Sequence, residues 1–148
     1  LLSLSTLNVP FHDDENTASS QDGEHKLAKA KRLFVQEKTS EALAVAESLR
    51  DQEPQATAVA AFLGRVYDKL QWDDRLAQWT SSLPPNIDAE PEYWAAIGNW
   101  MLRSGEVERA VRCLCEAIAR DPTDRESHLR LAQALAMAGR EDLARHVT

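Results

Sequence analysis

The chain has 148 residues, 43% hydrophobic and 28% charged, which is enough for one domain with a buried core. Its formal net charge of −7 argues against non-specific nucleic-acid binding, because a phosphate backbone requires a basic surface. No apolar run approaches the roughly 20 residues of a membrane-spanning helix, which argues against membrane insertion. With only five glycines, the composition favours helices over a turn-rich β fold.

Residues 1–22 form an acidic N-terminal extension, with four acidic residues and no lysine or arginine. We expect this extension either to be disordered or to dock in a groove of its own or of a neighbouring molecule. Its first residues, LLSLSTLNV, are too short for a complete signal peptide and have no basic start. The compartment therefore stays open between the cytoplasm and export, including the periplasm.

A period of 34 residues runs through residues 23–148. Stepping back from Gly98 by 34 residues reaches Gly64 and then Ala30, and one step forward reaches Ala132. A small residue therefore recurs in phase, and a large apolar residue follows it three positions later in every unit. The predicted units are residues 23–56, 57–90, 91–124 and a truncated 125–148.

Each unit is predicted to contain two antiparallel helices, A and then B. A small residue on helix A, such as Gly98, and one on helix B, such as Ala110, let the two backbones approach closely, and large side chains such as Trp94 fill the core around them. Gly105 suits the left-handed end of helix A, and Pro122 ends helix B. The predicted helices are 24–38, 40–51, 55–70, 73–82, 91–104, 106–120, 124–138 and 141–147.

This pattern resembles the tetratricopeptide repeat (TPR) family. Residues 91–124 carry the resemblance most completely, at the following positions: Trp94, Gly98, Ala110, Ala117 and Pro122. The resemblance implies an all-α solenoid of antiparallel helix pairs, wound as a right-handed superhelix of about 3.5 repeats. A plain helical bundle is the alternative fold, because amphipathic helices alone do not fix the order in which they pack.

The resemblance also implies that the A helices line a concave groove, into which position 9 of each unit points. That position carries a hydrogen-bond donor in all four units: Lys31, Arg65, Asn99 and Gln133. Positions 12 and 13 add three further candidates: Phe34, Lys69 and Arg103. These seven residues are the predicted peptide-binding groove, which suits an extended or helical peptide with some acidic character.

No catalytic residue, metal site or cofactor is predicted. The four histidines lack metal-ligand spacing, and Cys113 and Cys115 point away from each other on a helix. No nucleophile elbow, zinc-protease motif or P-loop occurs. The sequence therefore predicts a protein that is not an enzyme.

The predicted function is a protein–protein interaction scaffold that binds a peptide or protein segment in the A-helix groove. The alternative is a structural, oligomerisation or regulatory module of a larger multidomain protein. The truncated fourth unit predicts self-association through the C-terminal helix, because no further unit covers Leu143 and Val147. The N-terminal extension is a second candidate for self-association. The identity of the partner is not predicted.

Overall fold

The computed structural model describes residues 21–140, and this part of the chain consists of helices joined by short connections. Helix α1 covers residues 21–35. It is followed by α2 (Thr39–Gln52), α3 (Thr57–Lys69), α4 (Asp73–Thr80), a short 3-10 helix (Ile87–Ala89), α5 (Pro91–Arg103), α6 (Val107–Arg120) and α7 (Arg125–Met137). Seven of the eight predicted helices are thus confirmed to within a few residues at each end. The eighth, at 141–147, and residues 1–20 of the N-terminal extension lie outside the described residues.

The A helices end in the same way in all four units. The second residue after the helix is left-handed each time, and these residues are 34 apart: Glu37, Gln71, Gly105 and Gly139. The next residue then donates its N–H to a carbonyl five residues back, as Glu106 does to Met101 at 2.9 Å and Lys38 to Leu33 at 2.9 Å. The predicted left-handed conformation of Gly105, with a φ of 83°, is confirmed.

Gly64 and Gly98 lie in equivalent surroundings, where helix A crosses helix B of its own unit. A β-carbon built on Gly64 would lie 2.2 Å from Cζ2 of Trp79, and one on Gly98 would lie 2.8 Å from Cγ of Leu114. Trp79 is buried, and its indole N–H donates to the carbonyl of Ala60 at 2.9 Å. Each glycine therefore allows the predicted close approach of the two helices. The side chain it meets is large, however: Trp79 lies three positions beyond Leu76, and Leu114 lies four positions beyond Ala110, the position at which a small residue is predicted.

The buried apolar residues form successive clusters along the stack. One cluster joins α1 to α4 and reaches α5, and includes Ala30, Phe62 and Trp79. Another joins α6 to α7 through Leu114 and Leu131. Helix α3 packs against α5 and α5 against α6, so each unit contacts its neighbours in chain order. This arrangement is a solenoid of antiparallel helix pairs, as predicted, and differs from a bundle around one shared centre.

Trp94 is half-buried, which corrects the expectation that it fills the core. Its indole N–H donates to the carbonyl of Asp88 at 2.7 Å, and the guanidinium of Arg120 lies 5.1 Å from the ring centroid. Arg120 also donates to the same carbonyl at 2.8 Å. The carbonyl of Asp88, within the 3-10 turn, thus holds the indole at the surface, where Trp94 joins this turn to α5 and α6.

Candidate peptide-binding groove

The A helices α1, α3, α5 and α7 carry all seven predicted groove residues, and the surface that these residues share is called the inner face below. Four of the seven predicted groove residues line a single cleft of about 640 Å³ on α3, α5 and α7: Lys69, Asn99, Arg103 and Gln133. The other three, Lys31, Phe34 and Arg65, lie outside this cleft. The structure therefore brings together Lys69 of the second unit and the predicted residues of the third and fourth units.

A buried carboxylate organises the floor of the cleft. Asp68 accepts a hydrogen bond from Nδ2 of Asn99 at 2.7 Å and another from Arg103. Arg103 also donates to Asp73 at 2.9 Å, which ties the end of α5 to the start of α4. Burial raises the pKa of Asp68 above its ordinary value, and the hydrogen bonds from Asn99 and Arg103 act in the opposite direction. This network fixes the register between the second and third units.

Asn99 has an unused acceptor in this network. The residue is only 5% exposed and lines the cleft, and its Oδ1 has no hydrogen-bond partner among the described residues. Its Nδ2 is held by Asp68, so the amide cannot turn over without losing that bond. A buried amide oxygen without a partner costs free energy, and this atom itself exposes almost no surface to the cleft.

The rim of the cleft carries positive charge. Arg103 is paired with Asp68 and Asp73. Among residues 21–140, by contrast, Lys69 makes only a long contact of 3.9 Å with Glu37. Arg130 donates to the neutral amide of Gln133 at 3.0 Å. Lys69 and Arg130 are therefore the cations of this cleft that remain for an acidic group of a ligand.

One wall of the cleft is apolar. Leu102 on α5 and Ala136 and Met137 on α7 contribute to it. Met137 is largely exposed, so its flexible thioether side chain is accessible from the cleft. The cleft therefore combines a polar floor, two cations at its rim and an apolar wall.

Lys31 and Arg65 contact acidic residues of the chain itself. Lys31 lies 3.5 Å from Glu92. Arg65 forms a two-point contact with Asp124, at 3.1 and 3.4 Å, and a third contact with Glu126 at 3.3 Å. Burial of Asp124 opposes its ionisation, but the hydrogen bond and charge of Arg65 outweigh this effect and hold the pKa of Asp124 below its ordinary value.

Phe34 packs into the first apolar cluster. Its ring meets that of Phe62 edge to face, with the centroids 5.7 Å apart, and the residue is half-buried. Phe34 therefore forms part of the packing between α1 and α3 and does not line the cleft.

Three residues that matter here were not singled out from the sequence. Arg130 lies at position 6 of the fourth unit, outside the positions considered. Glu92 and Glu126 both lie at position 2, and each follows its position-9 cation, Lys31 or Arg65, by 61 residues. That recurring spacing was the signal that could have identified these acidic partners.

Within residues 21–140, no helix combines the length and apolar character needed to cross a membrane. The same part of the chain holds no group of three histidine, cysteine, aspartate or glutamate residues placed to bind a metal ion.

Comparison with known families supports the repeat pattern. The family model of the tetratricopeptide repeat matches residues 91–134, which span α5, α6 and most of α7. These residues are a tetratricopeptide repeat. The match falls on the unit that carries the TPR pattern most completely in the sequence.

Solved structures with a similar fold include MamA proteins, which contain TPRs. MamA from Desulfovibrio magneticus RS-1 has a TM-score of 0.60 and 14% identity, over 84% of this chain and 71% of that one. MamA from MSR-1 has a TM-score of 0.54 and 16% identity, over 82% and 70%. At this identity the likeness is one of fold, and it confirms the TPR solenoid. No curated protein sequence matches the chain significantly.

Proposed function

We propose that this TPR solenoid is a protein-interaction scaffold whose cleft on α3, α5 and α7 binds a peptide segment of a partner protein. TPR solenoids are typically non-catalytic scaffolds, and the proposal requires no catalytic group, metal or cofactor. The observation that carries it is the convergence of four predicted groove residues, Lys69, Asn99, Arg103 and Gln133, on one cleft with an apolar wall.

The side chains around Asn99 define the peptide that fits best. An acidic side chain would lie between Lys69 and Arg130, and an apolar side chain would pack against Leu102 and Met137. A volume of about 640 Å³ is within the usual range for ligand pockets and suits a few residues of an extended peptide. The proposed ligand is therefore a short segment that combines acidic and apolar residues.

Selection from a random peptide library displayed on phage tests this proposal and does not require the natural partner to be identified first. Selected peptides would be titrated against the parent protein and against the double variant Lys69→Glu with Arg130→Glu. We expect acidic and apolar residues to be enriched, and the double variant to bind at least about tenfold more weakly, which corresponds to about 1.4 kcal/mol.

Arg112→Glu is the matched control, because Arg112 is exposed on α6, a B helix. It should leave the affinity for the selected peptides unchanged. Equal affinity of the double variant and the parent would reject the cleft as the binding site. An equal loss in the Arg112 variant would show that net charge, and not the cleft, governs binding.

A second candidate function is self-association through α7, and a difference in exposure favours it. Leu129 is 54% exposed, whereas Ala95, at the same position of the preceding unit, is 1% exposed. Gln133, Ala136 and Met137 follow Leu129 along one side of α7, at the spacing of a helical face, and all are exposed. A second copy of the chain is the proposed occupant, since stacked units cover this face in a repeat array.

Light scattering over a range of protein concentrations tests this second candidate. The parent should increase in mass with concentration, and Leu129→Glu should remain monomeric because a charge is costly to bury in an interface. Val35→Glu is the control, since Val35 is also apolar and exposed but lies on α1. A parent that stays monomeric at high concentration would contradict self-association.

A further inference from the structure

Two ion pairs on the inner face share one register. Lys31 contacts Glu92 at 3.5 Å, and Arg65 contacts Glu126 at 3.3 Å. In both cases the cation is at position 9 of one unit, and the carboxylate is at position 2 of the unit after next, 61 residues later. We call Lys31–Glu92 the first inter-repeat bridge, and Arg65 with Asp124 and Glu126 the second. Asp124 is the last residue of the third unit and the N-cap residue of α7, so both carboxylates of the second bridge lie at the start of the A helix of the fourth unit.

Each bridge reaches over the A helix of the unit between its partners. Position 5 of that helix is alanine in both cases, Ala61 in the second unit and Ala95 in the third, and both alanines are buried. A small side chain at this position leaves room for a long cationic side chain to reach the carboxylate beyond it. The bridges therefore depend on a pattern that the second and third units share.

The two bridges differ in burial. The side chain of Lys31 is 45% exposed, so salt screens the first bridge and its contribution to folding stability is small. The side chain of Arg65 is 11% exposed and contacts two carboxylates, so the second bridge is less accessible to salt. The two bridges thus restrain the same inner face with different sensitivity to ionic strength.

We propose that the two inter-repeat bridges hold the curvature of the inner face and thereby set the width of the groove, an inference that deepens the proposed function by naming what controls its cleft. The curvature of a solenoid is the sum of small rotations between successive repeats. Contacts between neighbouring A helices restrain one rotation each. A bridge between units n and n+2 restrains the sum of two successive rotations. When the stack opens, this bridge is the first contact to break.

This role also separates the cations of the inner face into those that hold its shape and those that can bind a ligand. An acidic group that approached Arg65 would have to displace Asp124 and Glu126, which already satisfy its guanidinium at three contacts. Lys31 and Arg65 therefore serve the shape of the groove, and Lys69 and Arg130 remain for the ligand.

Spin labels at the two ends of the inner face test the inference. Val35→Cys and Met137→Cys place labels at the same repeat position of the first and fourth units, where both side chains are exposed. Cys113 and Cys115 would be replaced by alanine in this background. Double electron–electron resonance then measures the distance between the labels in the whole chain without any ligand, so the result is independent of whether the cleft binds peptides.

We expect Lys31→Glu, which places two negative charges opposite each other, to lengthen the mean distance by a few ångströms and to broaden its distribution. Lys29→Glu is the matched control, because it makes the same charge change at an exposed position of the same helix, and it should leave the distance unchanged. The exchange Lys31→Glu with Glu92→Lys restores opposite charges and should return the parent distance. Arg65→Met should open the stack further.

Circular dichroism would verify that each variant is folded. If Arg65→Met does not fold, the first bridge carries the test, because its partners are partly exposed and its loss does not threaten the core. A folded Lys31→Glu variant with the distance distribution of the parent would overturn the inference. The inference would also be overturned if the distance in the charge-exchange variant stayed as long as in Lys31→Glu and did not return to the parent value.

Discussion

The two halves of the inner face use similar side chains for different purposes. In one half, Lys31 and Arg65 are held by carboxylates at the N-terminal ends of α5 and α7. In the other half, Asp68 and Arg103 lie under a cleft whose rim carries Lys69 and Arg130. Positively charged residues at groove positions therefore do not identify a ligand site until their partners within the fold are known.

The largest effect that can test this difference is on folding stability in the half that holds Lys31 and Arg65. Arg65→Met should lower the free energy of unfolding by about 3 kcal/mol, because it leaves two partly buried carboxylates without their partner. Lys31→Met should lower it by less than about 0.5 kcal/mol, since that pair is more exposed. Urea denaturation of both variants measures the difference. Equal losses would show that the two bridges are energetically alike.

A smaller effect is expected at the end of α3, beside the cleft. Gln71 is left-handed, with a φ of 55°, at the position where Gly105 and Gly139 lie in later units. Gln71→Gly should raise the free energy of unfolding by about 1 kcal/mol, because glycine takes this conformation without steric cost. Gln71→Ala is the control and should give no such gain. Thermal unfolding of the two variants compares them, and an equal response would contradict the explanation.

The smallest effect expected is on the pH dependence of folding stability, to which Asp124 and Asp68 contribute with opposite sign. The pKa of Asp124 lies below its ordinary value of 3.8, so its contribution to stability is present above pH 3.8 and is lost as the pH falls through the folded-state pKa. Burial raises the pKa of Asp68 above 3.8, so protonation of Asp68 favours the folded state as the pH falls from its folded-state pKa towards 3.8.

Urea midpoints measured against pH would separate these two contributions. Relative to the parent, Asp124→Asn should remove part of the stability loss below pH 3.8. Asp68→Asn should remove a gain that occurs above pH 3.8. Difference curves with the same sign for both variants would contradict the assignment of the two carboxylates.

The fold was predictable because its determinants are local and repeat in phase. Gly98 lies where two helices approach closely, and Gly105 adopts a left-handed turn. The spacing of glycines in the sequence indicates both requirements directly. Glu37 and Gln71 adopt the same turn without being glycine, so residue type alone does not show the turn there. Trp94 was misplaced because its surface position depends on the carbonyl of Asp88 in the preceding 3-10 turn.

The candidate site was only partly predictable, because its chemistry depends on pairs that are distant in the chain. The pattern directed attention to Asn99 through position 9 and to Arg103 through position 13, and both residues line the cleft. Their shared acceptor, Asp68, is 31 and 35 residues away. The carboxylates that bind Arg65 are 59 and 61 residues away. Such pairs follow from the curvature of the stack, which no single unit specifies.

The affinity of one selected peptide for two charge-reversal variants tests the division of the inner face most directly. Lys69→Glu should weaken binding several-fold, because it reverses a charge at the rim of the cleft. Lys31→Glu should weaken it much less, because Lys31 lies outside the cleft and is paired with Glu92. Isothermal titration calorimetry gives both affinities. A greater loss in Lys31→Glu than in Lys69→Glu would contradict the account.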